Sequence, residues 1–257
     1  MKVRTEAQDE IFVVTISRPE VRNCVDRETA AALAEAFRRF DEDDALKVAI
    51  LNGEDGCFCA GADLKEASGG GDNANQVMEA GDGPMGPSRM LLGKPVIAAV
   101  EGFAVAGGLE LAVWCDLRVA ARDAVFGVYC RRWGVPLVDG GTIRLPRLIG
   151  QSHAMDLILT GRGVSGDEAL SMGLVNRLVE PGEALEAAKT LAREIAAFPQ
   201  RCMRNDRMSA ITQWSLDLDE ALLAETKLGL DVIRSGETRE GATRFARGAG
   251  RHGSFSS

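Results

Sequence analysis

The chain of 257 residues is short of the side chains that most often carry enzyme chemistry by themselves, with 2 histidines and 1 tyrosine. Neither His153 nor His252 has partners spaced as in a catalytic triad or a metal site. No serine stands in a G-x-S-x-G context, so a hydrolase elbow is unsupported. No G-x-G-x-x-G follows the first predicted strand, and no G-K-[ST] phosphate loop occurs. Nothing in the sequence therefore points to a nucleotide redox cofactor or to ATP. The 6 cysteines are too sparse for a secreted disulfide scaffold. Cys57 and Cys59 stand two apart with no second pair or histidine at zinc-site spacing, and read as small fillers. The longest apolar stretches, such as Val96–Val100, fall far short of a membrane span. Met1–Glu6 lacks the apolar centre of a signal peptide, which makes a cytoplasmic location the expectation. A net charge of -8 without a long basic tract argues against nucleic acid or anionic membrane as the main partner. An anionic small ligand needs only a local cluster of arginines.

What is present is an ordinary folded composition, 46% hydrophobic and 26% charged, long enough for one large core with an appendage. Ile11–Ser17 reads as a strand, Asp26 as the cap of a helix running to about Phe40 with Leu33, Phe37 and Phe40 on one face, and Val48–Asn52 as a second strand. Further strands are predicted at Val96–Val100, Asp116–Ala121 and Val125–Gly127, with a helix from Gly107 through Trp114. Arg144–Gly150 leads into a helix over Ser152–Leu159, and a short helix follows at Gly166–Met172. Leu174–Val179 is extended, and from about Gly182 the chain is mainly helical. Leu185, Ala188, Leu191, Ala192 and Ile195 form a core or interface stripe. Gly248–Ser257 reads as a frayed tail. Ser68–Pro87 is the loosest region, with one helical turn expected around Gln76–Glu79; it reads equally as a lid and as a plain surface loop. Alternating strands and helices predict an α/β class with a parallel sheet. The boundary is set at residues 1–180 for this core and 181–257 for a helical C-terminal region.

Two glycine-containing segments dominate the functional reading. One is Cys57-Phe58-Cys59-Ala60-Gly61-Ala62-Asp63-Leu64; the other runs from Gly102 through Gly107-Gly108-Leu109-Glu110 to Ala112. Each follows a plausible buried strand and holds backbone N–H groups clear of bulky side chains. Two such groups aimed at one point make an oxyanion hole for a thioester carbonyl. The Glu110 carboxylate follows within one helical turn, among apolar neighbours whose burial would raise its pKa.

Taken in order, Arg18-Pro19 with Arg22-Asn23-Cys24-Val25, Ala60–Leu64, Glu101–Ala112 with Cys115-Asp116, Gly140-Gly141-Thr142, Leu159-Thr160-Gly161 and Ala169 through Gly173-Leu174-Val175 resemble the enoyl-CoA hydratase/isomerase, or crotonase, family over nearly the whole length. The resemblance implies a spiral core of repeated ββα units and a helical C-terminal region that serves assembly as a trimer or a dimer of trimers. It implies an acyl-CoA thioester as substrate and no cofactor beyond the coenzyme A that the substrate carries. It assigns the oxyanion donors to the N–H groups of Ala60 and Gly107, and a catalytic role to Glu110. For coenzyme A it points to Arg22, Cys24, Ala60, Asp63, Leu64 and Phe245, the last reaching the site from a helical tail or a neighbouring subunit.

The sequence departs from the hydratases at their second catalytic glutamate, whose position falls on Cys130. A thiol is a poor general acid or base at neutral pH unless its pKa is tuned. Asp139, before Gly140-Gly141-Thr142, matches the offset of an aspartate that is catalytic in the family's dienoyl-CoA isomerases; as a bland alternative it caps the turn. Tyr129, Cys130 and Trp133 are expected to wall the acyl pocket. Arg131 and Arg132 contact a polar acyl group or serve as surface charges. The leading expectation is a hydratase-like enzyme adding water to a 2-enoyl-CoA. The alternatives are an enoyl-CoA or dienoyl-CoA isomerase using Asp139 with Glu110, and a non-catalytic acyl-CoA-binding subunit.

Overall fold

The computed structural model describes residues 1–69 and 71–250. His252 and most of the predicted frayed tail lie outside the described residues. Two compact units divide the chain, residues 1–195 and 196–257.

The first unit opens with β1 (Val3–Gln8) and β2 (Ile11–Ile16), an antiparallel pair. Asp26 then caps α1 (Arg27–Glu42), its carboxylate accepting from the N–H of Thr29 at 2.8 Å. This satisfies one of the helix's orphan donors. Leu33, Phe37 and Phe40 are buried along one face, as their spacing predicts. After β3 (Val48–Gly53) the chain passes through Cys57–Ala62 into α2 (Leu64–Gly69). Then come β4 (Val96–Val100), β5 (Phe103–Val105) and α3 (Gly107–Trp114), followed by β6 (Leu117–Ala121), β7 (Val125–Gly127) and α4 (Gly141–Thr160). The unit closes with β8 (Gly163–Ser165), α5 (Gly166–Ser171), β9 (Arg177–Val179) and α6 (Ala184–Ala196), which reaches one residue past the division.

One sheet has the order β1-β2-β3-β4-β6-β9, parallel from β2 onward; a second has the order β5-β7-β8. Strand β4 is an unbroken apolar run, and β3 is one over Val48–Leu51, because parallel strands covered on both faces meet no water. Successive turns of chain place one strand in each sheet and then a helix. Ala104 pairs with Phe126 in β7, and Cys59 makes a parallel bridge to Ala104 on its other side. Cys57–Ala62, β5 and β7 are thus equivalent levels of one stack. This is the spiral of ββα units that the resemblance implies.

The second unit holds α7 (Gln200–Thr212), α8 (Leu218–Ser235) and α9 (Glu237–Ala246). Asp217 and Glu220 form a reciprocal capping box at the start of α8. Glu237 caps the start of α7 by accepting from the N–H groups of Arg201 and Cys202.

Three local expectations fail. No helical turn forms at Gln76–Glu79, where the chain is irregular. Gly83–Ser88 is buried rather than a free surface loop. A helical segment already begins at Gly141, where no helix is expected, and Gly150 (φ 74°, ψ 159°) interrupts α4 just before the expected helix at Ser152–Leu159.

Candidate active site

The stacking of levels brings the two glycine segments side by side. Cys59 N–H donates to Phe103 O at 2.8 Å, and Val105 N–H donates to Cys59 O at 3.1 Å. A Cβ on Gly108 would lie 2.0 Å from Cys59 O, so only glycine permits this approach. A Cβ on Gly61 would lie 3.1 Å from the Gly107 nitrogen, so the two segments touch there.

The hydrogen bonding sorts the candidate donors. Ala60 N–H already donates to Arg22 O at 3.1 Å. Two residues on, Val25 N–H donates to Gly61 O and Asp63 N–H to Val25 O, which leaves the Ala62 N–H between them without a partner among the described residues. Gly107 is the first residue of α3, where N–H groups have no intrahelical acceptor. Ala106 before it has φ 54° and ψ -125°, an uncommon conformation for a residue with a Cβ. This turn re-aims the Gly107 N–H from the direction a helical Ala106 would give. Backbone strain of this kind costs about 1–3 kcal/mol and is found chiefly at functional sites.

Ala60, Ala62 and Gly107 border a cavity of about 360 Å3 that also receives Glu110 and Asp139. Glu110 is 2% exposed. Its Oε1 accepts from the N–H of Asp139 at 2.9 Å and of Gly141 at 2.8 Å. Burial pushes its carboxyl up to about 7, with the two N–H donors opposing and the charge of Asp139 adding to the rise. The Asp139 carboxyl is also raised by burial. Its Oδ1 accepts from Met85 N–H at 3.0 Å and from the Ser88 hydroxyl. Sequence reading missed the group that ties these pieces. The Arg144 guanidinium donates to Asp139 O and to Ser88 O, each at 2.8 Å, joining the start of α4 to the end of the long loop. Its signal in the sequence is an arginine one turn into a helical segment that carries Pro146.

Tyr129, Cys130 and Trp133 form a single turn that lines the same cavity. The Cys130 thiol is pushed up by burial and then by Glu110, which keeps it protonated. Arg131 and Arg132 do not line the cavity: Arg131 donates to Ile158 O and Arg132 to Gly161 O, each at 3.0 Å. Arg132 also stacks 3.8 Å from the Tyr129 ring centroid.

Of the coenzyme A candidates, Arg22, Ala60 and Leu64 line the cavity. Arg22 lies 5.7 Å over the Phe103 ring. Asp63 does not line it; its carboxylate is buried against Arg18 Nη2 at 2.9 Å. Cys24 also stands apart from the cavity lining, its thiol pushed up to about 11 by burial. Phe245 belongs to α9 of the second unit and is exposed. Among the described residues no group of three or more His, Cys, Asp or Glu side chains is placed to hold a metal ion.

Residues 6–249 match the family model described as enoyl-CoA hydratase/isomerase. The chain belongs to the enoyl-CoA hydratase/isomerase family. It is 36% identical to enoyl-CoA hydratase EchA19 of Mycobacterium tuberculosis, over 94% of this chain and 92% of that protein. It is 35% identical to the crotonyl-CoA hydratase of Syntrophomonas wolfei, over 93% of each. The crystal structure of enoyl-CoA hydratase EchA1 from Mycobacterium marinum superposes with a TM-score of 0.89 at 39% identity, covering 96% of both chains. Family membership makes this an enzyme of hydratase/isomerase chemistry on acyl-CoA substrates. One cavity brings together the Ala62 and Gly107 backbone and the Glu110 and Asp139 side chains.

Proposed function

We propose that the protein adds water across the double bond of a 2-enoyl-CoA, with Glu110 as the single acid–base group. The observation that carries this reading is the Glu110 carboxyl, buried in the cavity near the unpaired Gly107 N–H and titrating at about 7. A group with that pKa is populated in both protonation states at neutral pH, so it accepts a proton and returns it. Water oxygen bonds to C3 as Glu110 takes its proton. The C2=C3 electron pair moves to C1–C2 and the thioester oxygen takes the charge. Ala62 and Gly107 N–H groups hold that oxyanion, and each donor is worth about 3 kcal/mol in the transition state. The enolate pair then takes the proton at C2, and the net change is addition of one water. Moving the first donor from Ala60 to Ala62 follows from the bond that occupies the Ala60 N–H.

Arg22 and Leu64 at the cavity edge are proposed to meet the coenzyme A portion. The second unit is proposed to assemble the chain into a trimer or a dimer of trimers.

A second reading rests on Asp139. Its carboxyl shares the cavity and is raised by burial, so a proton passed between Glu110 and Asp139 would shift a double bond instead of adding water. Turnover of an enoyl-CoA by wild type, Glu110→Gln and Asp139→Asn separates the two. Hydration that falls about 100-fold or more in Glu110→Gln and persists in Asp139→Asn supports the first. Double-bond migration lost in Asp139→Asn supports the second.

A further inference from the structure

The cavity wall carries more information than the reaction class. Away from the carboxylates and the coenzyme A edge it is built from Val77, Met85, Trp133, Val135 and Val138. Arg22 is the one cation among the described lining residues, and it lies over the Phe103 ring. Arg144 donates to the backbone oxygens of Ser88 and Asp139. Asn75, the wall's neutral amide, donates to Pro84 O at 2.8 Å, with its Oδ1 buried. A second carboxylate on an acyl group would thus be desolvated beside Glu110 and Asp139 with no facing cation, a costly arrangement.

The extent of the apolar wall bears on size. It continues outward from the carboxylates: Val77 is 60% exposed and Trp133 73% exposed, although both line the cavity. Large apolar side chains left in water at the edge of an apolar cavity gain from a ligand that covers them.

We infer that the acyl group is a neutral hydrocarbon large enough to cover Val77 and Trp133, and neither a short chain nor one with a second acid group. This rests on the acyl-CoA reading above but not on hydration. The test therefore uses saturated thioesters, which bind without reacting: calorimetric dissociation constants for butyryl-, decanoyl-, 3-phenylpropanoyl- and glutaryl-CoA. The expected result is at least 30-fold tighter binding, about 2 kcal/mol, of decanoyl- or 3-phenylpropanoyl-CoA over butyryl-CoA. Which of the two is tighter tells a linear from an aryl group. Glutaryl-CoA should bind no better than butyryl-CoA. The double variant Val77→Ser/Trp133→Ala, changed at exposed positions, should lose about 10-fold for the preferred thioester and nothing for butyryl-CoA. Butyryl-CoA equal to or tighter than both large thioesters overturns the inference, as does glutaryl-CoA binding tightest or a double variant without effect. Thioester binding without hydration would sink the hydratase reading alone, and no binding of any thioester would sink both.

Discussion

Glu110 concentrates the electrostatic cost of the site in one side chain. Its carboxyl moves from an ordinary 4.5 to about 7 on folding, so the folded chain holds a proton there that the unfolded chain has released. Stability from this group is fully present below about pH 4.5 and is lost as pH rises through about 7, by about 3 kcal/mol. Glutamine keeps the acceptor for the Asp139 and Gly141 N–H groups and cannot ionise. Glu110→Gln should therefore raise the melting temperature at pH 8 and leave it nearly unchanged at pH 4.5, while activity falls about 100-fold or more. In the wild type, kcat/KM for hydration should drop on the acid side with a midpoint near 7, where the base becomes protonated. Glu110 was legible from sequence because its apolar neighbours and helix position are local. The donor at residue 62 was not. Which peptide N–H is left over depends on bonds from Arg22 and Val25, a choice made by chain far away in sequence.

At the scale of elements, the site is a contact between segments that no single one determines. Gly108→Ala would drive a Cβ to 2.0 Å from Cys59 O, separating the first glycine segment from α3. Destabilisation of about 3 kcal/mol is expected in denaturant melts, with loss of activity in the fraction still folded. The loop before residue 88 is held by the Arg144 and Ser88 bonds to Asp139. Ser88→Ala should leave hydration nearly unchanged and lower any double-bond migration that runs through Asp139, and Ser88→Thr, which restores a hydroxyl, should recover that migration. Migration unchanged in Ser88→Ala would mean that Met85 N–H alone positions Asp139. The long apolar strands and α1 were readable because their patterns are strong and local. Strands β1, β5 and β8 were not: β1 is mostly exposed and the others have three residues each, with their partners supplied by distant chain. The first half of α4 was hidden by Pro146, which reads as a breaker yet sits inside the helical segment that Gly150 ends.

At the scale of the molecule, the helical second unit exposes apolar side chains at Leu218, Leu222, Leu223 and Ile233 of α8. Such a face in water favours association with further copies. Sedimentation should give a particle of three or six times the 27.4 kDa chain, and Leu222→Lys/Leu223→Lys should shift it toward smaller species. A monomer at micromolar concentration would remove the assembly proposal while leaving the site untouched. Water addition through Glu110 is tested most directly by product analysis in deuterated water. Wild type and Glu110→Gln would be incubated with crotonyl-CoA and 2-decenoyl-CoA, and products followed by NMR and mass spectrometry. The expected product is 3-hydroxyacyl-CoA carrying deuterium at C2 from at least the longer substrate, lost in Glu110→Gln. Deuterium exchange or double-bond migration without a hydroxyl product, or hydration that survives in Glu110→Gln, would contradict it.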